Sequence, residues 1–127
     1  MMTIESFFQR YAERYMAGDA AAVADMCGVP FLAIRAGTPI HLLDRDGLTE
    51  HLAGLMVAYQ AAGAAAADIA DLVELSQGDS AMLVTVRWHI RSASGALVRE
   101  LRTSYQLVGP DPWLIYAYVN HDAVRAR

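Results

Sequence analysis

Residues 80–122 read SAMLVTVRWHIRSASGALVRELRTSYQLVGPDPWLIYAYVNHD. Alternating apolar and polar positions recur through this stretch, interrupted only by Ser92-Ala93-Ser94-Gly95 and by Gly109-Pro110-Asp111-Pro112. That pattern predicts an antiparallel meander of three strands. A four-residue loop at 92–95 pairs Arg91 with Ala96, Arg87 with Glu100 and Val86 with Leu101. One face then carries Met82, Val84, Val86 and Trp88 with Leu101, Thr103, Tyr105 and Leu107. The other carries Thr85, Arg87, His89 and Arg91 with Glu100, Arg102, Ser104 and Gln106. Apolar meets apolar and Arg87 faces Glu100, which favours this register over a one-residue slip. In the third strand the core face continues through Trp113, Ile115, Ala117, Val119 and His121, leaving Leu114, Tyr116, Tyr118 and Asn120 outside. A slip there exchanges the two sets, and both arrangements remain open.

Upstream the period changes to that of helices. Thr3 caps a first helix with Glu5 in its opening turn, and Ile4, Phe8, Tyr11 and Tyr15 share one face. Gly18 ends it, and Asp19 caps a short second helix carrying Val23, Met26 and Cys27, stopped by Gly28 and Pro30. A strand over 31–36 turns at Gly37-Thr38-Pro39 and returns over 40–43. Asp46 caps a long third helix with a stripe of Leu48, Leu52, Leu55, Met56 and Tyr59, broken at Gly63. Residues 64–67 are alanines that favour helix, but the even spacing of Ile69, Val73 and Leu75 favours a strand ending at Gln77-Gly78-Asp79. Helices first and a long meander last describe a single α+β domain over 1–127, with a curved antiparallel sheet closing on about three helices.

Composition narrows the function classes. The 55% hydrophobic and 19% charged shares lie on the apolar side for a water-soluble domain. Alanine supplies much of that surplus, and the rest hints at an apolar cavity or a partner surface. A net charge of −4 argues against a general nucleic-acid binder, which needs a basic face. Cys27 is the only cysteine, so no intramolecular disulfide forms and a reducing compartment fits. It reads as a small apolar residue on the second helix, not a nucleophile. The opening Met1-Met2-Thr3-Ile4-Glu5-Ser6 has no basic stretch followed by an apolar run, and no stretch reaches the length of a membrane span. The expectation is a cytoplasmic protein with no membrane partner.

The order of elements, with Gln9-Arg10-Tyr11, Ala17-Gly18-Asp19, Val23 and Met26 at one end and Trp113-Leu114-Ile115 and His121-Asp122 at the other, resembles the nuclear-transport-factor-2-like superfamily. The similarity is greatest to its SnoaL-like and ketosteroid-isomerase-like branch. The resemblance implies a cystatin-like cone, in which a bent sheet wraps a long helix around an apolar pocket, with dimers forming through the outer sheet face. It also implies a tyrosine at Tyr11 that donates to a developing oxyanion. The isomerases' proton-moving carboxylate falls at Ile34, between Ala33 and Arg35, and their second, protonated carboxylate falls at about Thr103. Neither carboxylate is present. A base is indispensable for proton abstraction beside a carbonyl, so that route is not expected.

Candidate site residues follow from the same register. Tyr11, Tyr15, Tyr59, Trp88, Thr103, Tyr105 and His121 are expected to line the pocket, with Arg99 clamping an acidic group at its mouth. His121 is the candidate general base, since imidazole as a side-chain type exchanges protons near neutrality, and Tyr11 its electrophilic partner. Tyr11, Tyr15 and Tyr59 also fit as ordinary core aromatics, and His121 as a strand-end residue. His89 belongs to the polar outer face. His41, Asp44, His51 and Glu50 form no metal-ligand spacing, so no metal is expected. No glycine-rich phosphate loop or nucleophile elbow occurs, so no nucleotide or other cofactor is expected. Three readings stand: a binder of a small apolar ligand with one polar or acidic group; an isomerase, cyclase or dehydratase using His121 and a tyrosine; and a non-catalytic interaction module. In each, a homodimer is expected through Leu114, Tyr116 and Tyr118.

Overall fold

Three helices precede or interrupt six strands, in a computed structural model that describes residues 3–121. Helix α1 (Ile4–Met16) begins at a reciprocal capping box, in which the Thr3 hydroxyl accepts from Ser6 N–H and the Ser6 hydroxyl accepts from Thr3 N–H. It buries Ile4, Phe7, Phe8, Tyr11 and Ala12 on one face. Gly18, at a φ of 73°, lets the chain leave the helix, and Asp19 caps the short helix α2 (Ala20–Ala24).

Strand β1 (Cys27–Arg35) starts earlier than the sequence pattern suggests. Met26 and Cys27 therefore leave α2, which stops at Ala24. The Cys27 Sγ donates to Val23 O at 3.4 Å, and burial pushes its thiol up to about 12. A thiol so held supplies no thiolate near neutrality. Strand β2 (Thr38–Leu42) returns from the Ala36-Gly37 turn, and helix α3 (Arg45–Ala61) follows. Its cap is Asp44, not Asp46: the Asp44 carboxylate accepts from Gly47 N–H at 2.8 Å, leaving Asp46 in the first turn. Leu48, Leu52 and Met56 are buried, and Leu55 and Tyr59 pack half-exposed beside them.

The remaining strands are β3 (Ala66–Ser76), β4 (Ala81–Arg91), β5 (Leu97–Val108) and β6 (Leu114–Asn120). They join one six-stranded sheet in the order β2-β1-β6-β5-β4-β3, antiparallel except where β1 runs parallel to β6. The helices lie on its concave face, α1 against β3 and α3 against β1 and β2. Register shifts interrupt four of the strand pairs, and each surplus residue bends its strand and strengthens the twist.

The shifts also decide which side chains face inward. At the β4–β5 hairpin, Arg91 pairs with Leu97, and the surplus Val98 offsets the rest. Val86 thus faces Thr103 instead of Leu101, and Arg87 faces Arg102 instead of Glu100. An offset of two residues preserves the faces, so Val84, Val86, Trp88, Thr103, Tyr105 and Leu107 are all buried as expected. Glu100 lies opposite His89, bonded to its Nε2 at 2.6 Å, and reaches Arg87 diagonally at 3.5 Å. In β3, a surplus Ala70 flips the alternation after Ile69, so that Leu72 turns inward while Val73 and Leu75 are 57% exposed.

In β6 the consequence is larger. Ile115 pairs with Leu107 and Ala117 with Gln106, which makes Tyr116 the surplus residue. The core face continues from Ile115 to Tyr118 and Asn120, and not to Val119 and His121. The expected placement of His121 in the pocket and of Tyr118 on the outer face is therefore corrected: Tyr118 is buried and His121 exposed. His121 lies on the outer face, its Nε2 at 2.7 Å from Ser104 Oγ. Asp122, its neighbour in the sequence motif, lies outside the described residues.

Tyr116 folds over β1 at Gly28, where a Cβ would stand 2.2 Å from the phenol ring. Gly28→Ala should therefore cost about 1–3 kcal/mol by displacing the ring from its packing. In urea unfolding, Gly28→Ala combined with Tyr116→Ala should lose less than the sum of the two single changes.

Candidate functional site

Six groups of residues converge on the interior of the cone: Tyr11, Ala12, Tyr15 and Met16 from α1; Arg35 from β1; Leu52, Leu55 and Tyr59 from α3; Ala67 from β3; Trp88, Ile90, Leu101, Thr103 and Tyr105 from the β4–β5 hairpin; and Tyr118 and Asn120 from β6. Between them is a cavity of about 50 Å³. At about 10–15 Å³ for each water-sized group, the space admits several such groups. The apex of the cone is filled by aromatic rings. Phe8 packs on Tyr105 with centroids 4.7 Å apart, and Tyr11 stacks on Trp88 at 6.3 Å.

The buried floor is polar but satisfied. Trp88 Nε1 donates to the Tyr105 hydroxyl at 3.0 Å. An indole N–H only donates, so the Tyr105 oxygen is the acceptor and its own proton points onward. The Tyr11 and Thr103 hydroxyls stand beside it, and Thr103 Oγ1 donates to Asn120 Oδ1 at 3.0 Å. Burial raises the pKa of Tyr11 well above the ordinary phenol value, with the adjacent Tyr105 adding to the effect. Burial likewise raises Tyr105, against the hydrogen bond from Trp88. These phenols stay protonated and act as donors, never as bases near neutrality.

The rim is less buried and differently charged. Arg35 falls on the inner face because β1 alternates Phe31, Ala33, Arg35 inward, with Ala33 paired to Tyr118 and Ile34 to Val119. Tyr118 is held between two partners. Its hydroxyl is 2.8 Å from His51 Nε2, and the Arg35 guanidinium lowers its pKa against the larger, raising effect of burial. Burial and then the Arg35 charge lower the pKa of His51, so its imidazole is neutral at pH 7. Tyr15 and Tyr59 meet edge to face across the opening, 5.9 Å between centroids. Among the described residues no Asp or Glu lines the cavity, and no group of three or more His, Cys, Asp and Glu is placed to hold a metal ion.

Of the residues singled out from sequence, Tyr11, Tyr15, Tyr59, Trp88, Thr103 and Tyr105 surround the cavity. Arg99 does not: it pairs with Ile90 near the turn of the hairpin and is exposed. His121 does not either, for the reason given above. Sequence reasoning missed Arg35, His51, Tyr118 and Asn120. Arg35 was legible, since Phe31 and Ala33 set its face by simple alternation. Tyr118 and Asn120 required the bulge. His51 required knowing how α3 crosses β6, which no local pattern encodes. Ile34 points outward, so the inward residues at the level of the isomerase base are Ala33 and Arg35, a methyl and a cation.

The fold is shared with solved structures at low sequence identity. An NTF2-like protein with a cystatin-like fold from Novosphingobium aromaticivorans superposes with a TM-score of 0.71 at 18% identity, covering 92% of this chain and 77% of its own. Aln2 from a Streptomyces species superposes with a TM-score of 0.71 at 15% identity, covering 91% and 84%. A protein provisionally named a ketosteroid isomerase, from Shewanella frigidimarina, gives 0.68 at 14% identity, covering 94% and 95%. None of the curated proteins compared matches the sequence. A family model described as NTF2-like protein (DUF6841) matches residues 2–123, nearly the whole length. The chain belongs to that NTF2-like family.

Proposed function

We propose that this protein binds a small apolar ligand bearing one polar or acidic group, held at the mouth of the cone, and performs no proton abstraction there. The observation that carries this reading is the division of the cavity wall. Apolar side chains of α1, α3 and β4 form the sides, while the polar groups at the rim and floor are donors kept protonated. The small volume admits the polar group, and the ligand body rests among Tyr15, Met16, Leu55 and Tyr59. Isomerase, cyclase or dehydratase chemistry through His121 has less support, because that imidazole is on the opposite face of the sheet. His51 reaches the rim, but its lowered pKa and the raised pKa of Tyr118 make proton transfer between them strongly uphill.

The partner reading is a second copy of the chain. Val73 and Leu75 after the β3 bulge, Val119 after the β6 bulge and Val108 at the end of β5 are exposed on the convex face, beside half-buried Leu114 and Tyr116. Such a patch, running over strands from β3 to β6, is of the kind an isologous sheet-to-sheet dimer covers. Tyr118, expected in that surface from sequence, faces the cavity instead.

The binding reading is tested by native mass spectrometry of protein purified from its native host. A small-molecule adduct is expected on the wild type and should be lost in Ala67→Trp, which fills the cavity from β3. An adduct equally abundant in that variant would place binding elsewhere. The dimer reading predicts twice the chain mass by light scattering, falling to the single-chain mass in Leu75→Glu/Val119→Glu. The lowered His51 pKa makes a further prediction with a defined sign. The folded state favours neutral His51, so its contribution to stability is complete above the ordinary value of 6.5 and is lost as pH falls through the folded value. Imidazole NMR titration should give a midpoint below 6.5, and Arg35→Ala should raise it part of the way while burial holds the remainder.

A further inference from the structure

The rim names the chemical class of the group it receives. Arg35 and Asn120 are the next residues along the two parallel strands after the Ile34–Val119 pair, so β1 and β6 bring them side by side onto the cavity. Each presents donors. Asn120 Oδ1 is occupied by the Thr103 hydroxyl, which leaves the amide NH₂ for the cavity. Tyr118 presents a hydroxyl 2.8 Å from His51 Nε2, and with the Nε2–H tautomer the imidazole donates to the Tyr118 oxygen and leaves the phenol O–H for the cavity. Arg35 adds a guanidinium that takes part in none of the ion pairs among the described residues, which are Arg45–Asp25, Arg87–Glu100, His89–Glu100 and Arg91–Asp68. With no Asp or Glu among the described lining residues, the rim is an array of donors around a cation.

We propose that the cone mouth is a carboxylate site: the ligand is a small apolar monocarboxylic acid whose carboxylate pairs with Arg35 and is flanked by the Tyr118 hydroxyl and the Asn120 amide. This rests on the reading of the cone as a ligand pocket and gives that ligand its acidic group. The geometry supports it on three independent grounds. A carboxylate is an acceptor-only group, matching a set of donors. Its single negative charge matches the one cation among the described lining residues, whereas a phosphate or sulfate calls for more than one cation. A planar guanidinium at the edge of an apolar recess is the side chain best suited to bind a carboxylate bidentately. An amine or guanidine ligand would meet Arg35 head-on, and a neutral amide would bring N–H donors to a rim that already has too many.

The test uses phenylacetate and its isosteric amide, phenylacetamide, titrated into ¹⁵N-labelled protein and followed at the backbone amides of Arg35, Thr103 and Asn120. Phenylacetate should bind wild type at least about tenfold more tightly than phenylacetamide, as expected for a charge-assisted hydrogen-bond pair. Arg35→Gln should abolish that difference, chiefly by weakening the acid, and Arg35→Lys should keep part of it. Asn120→Asp, which adds a negative charge without altering size, should weaken the acid selectively. Equal affinity for the two probes in wild type would overturn the carboxylate assignment and leave the pocket reading standing. Acid preference that survives Arg35→Gln would overturn the role of Arg35. Failure of both probes to shift any of the three amides would overturn the pocket reading, and the carboxylate site with it.

Discussion

One surplus residue in β6 governs what this cone contains. With Ile115 packed under Leu107 and Ala117 beside Gln106, Tyr116 has no partner position in the ladder. Everything after it changes sides. Tyr118 and Asn120 turn into the cavity, while Val119 and His121 turn out. The ladder loses one regular position, and in return the sheet acquires the bend that wraps it over α1 and α3. Gly28 makes this possible, because the displaced Tyr116 ring needs a strand neighbour without a side chain. Fold and site therefore share a single cause: the same irregularity that curves the sheet sets the polar rim.

The architecture was legible because it depends on periodicity that many residues report together. Helix α1 and the β4–β5 hairpin each have five or more buried positions in phase, so an error of two residues in pairing Val86 left the inner face intact. The rim was not legible in the same way. Two of its members, Tyr118 and Asn120, hang on the bulge at Tyr116, and a bulge leaves no composition signal in a strand that is apolar on both sides. Leu114-Ile115-Tyr116-Ala117-Tyr118-Val119 offers no polar residue to mark a face. Hence both registers fitted, and the correct answer used each in turn: one before Tyr116, the other after. His51 illustrates a second limit. It is on the flank of α3 and meets Tyr118 across 67 positions of sequence, a contact fixed by how the helix crosses the sheet. Arg35 is the opposite case, since alternation alone placed it inward.

The electrostatics of the interior follow from what surrounds each group. Phenols at Tyr11 and Tyr105 are buried among neutral neighbours, so desolvation is the largest influence on their protonation and both remain neutral donors. Trp88 fixes the direction of the hydrogen bonds, because its N–H cannot accept and Tyr105 must pass its proton toward Tyr11 or Thr103. At the rim, Arg35 acts on two neighbours in one sense: it lowers His51 by repelling a second positive charge and lowers Tyr118 by favouring its anion. Both effects come from one unit of positive charge looking into a recess of low dielectric. An anion entering there would reverse them, drawing the His51 pKa upward and pushing Tyr118 further from ionisation. The rim thus carries its own reporters of occupancy.

That charge is also the physical reason the proposed reading sets proton-transfer chemistry aside. A catalytic carboxylate beside Arg35 would be stabilised as its anion and lose basicity, while a cation in place of the base removes the proton acceptor outright. Ala33 leaves room beside it, and Thr103 contributes a neutral hydroxyl already committed to Asn120. Each of the positions where acid–base pairs would be built is therefore occupied by a donor or a methyl group. On the proposed reading, polar donors gathered around Arg35 would lower the energy of a negative charge that arrives with the ligand.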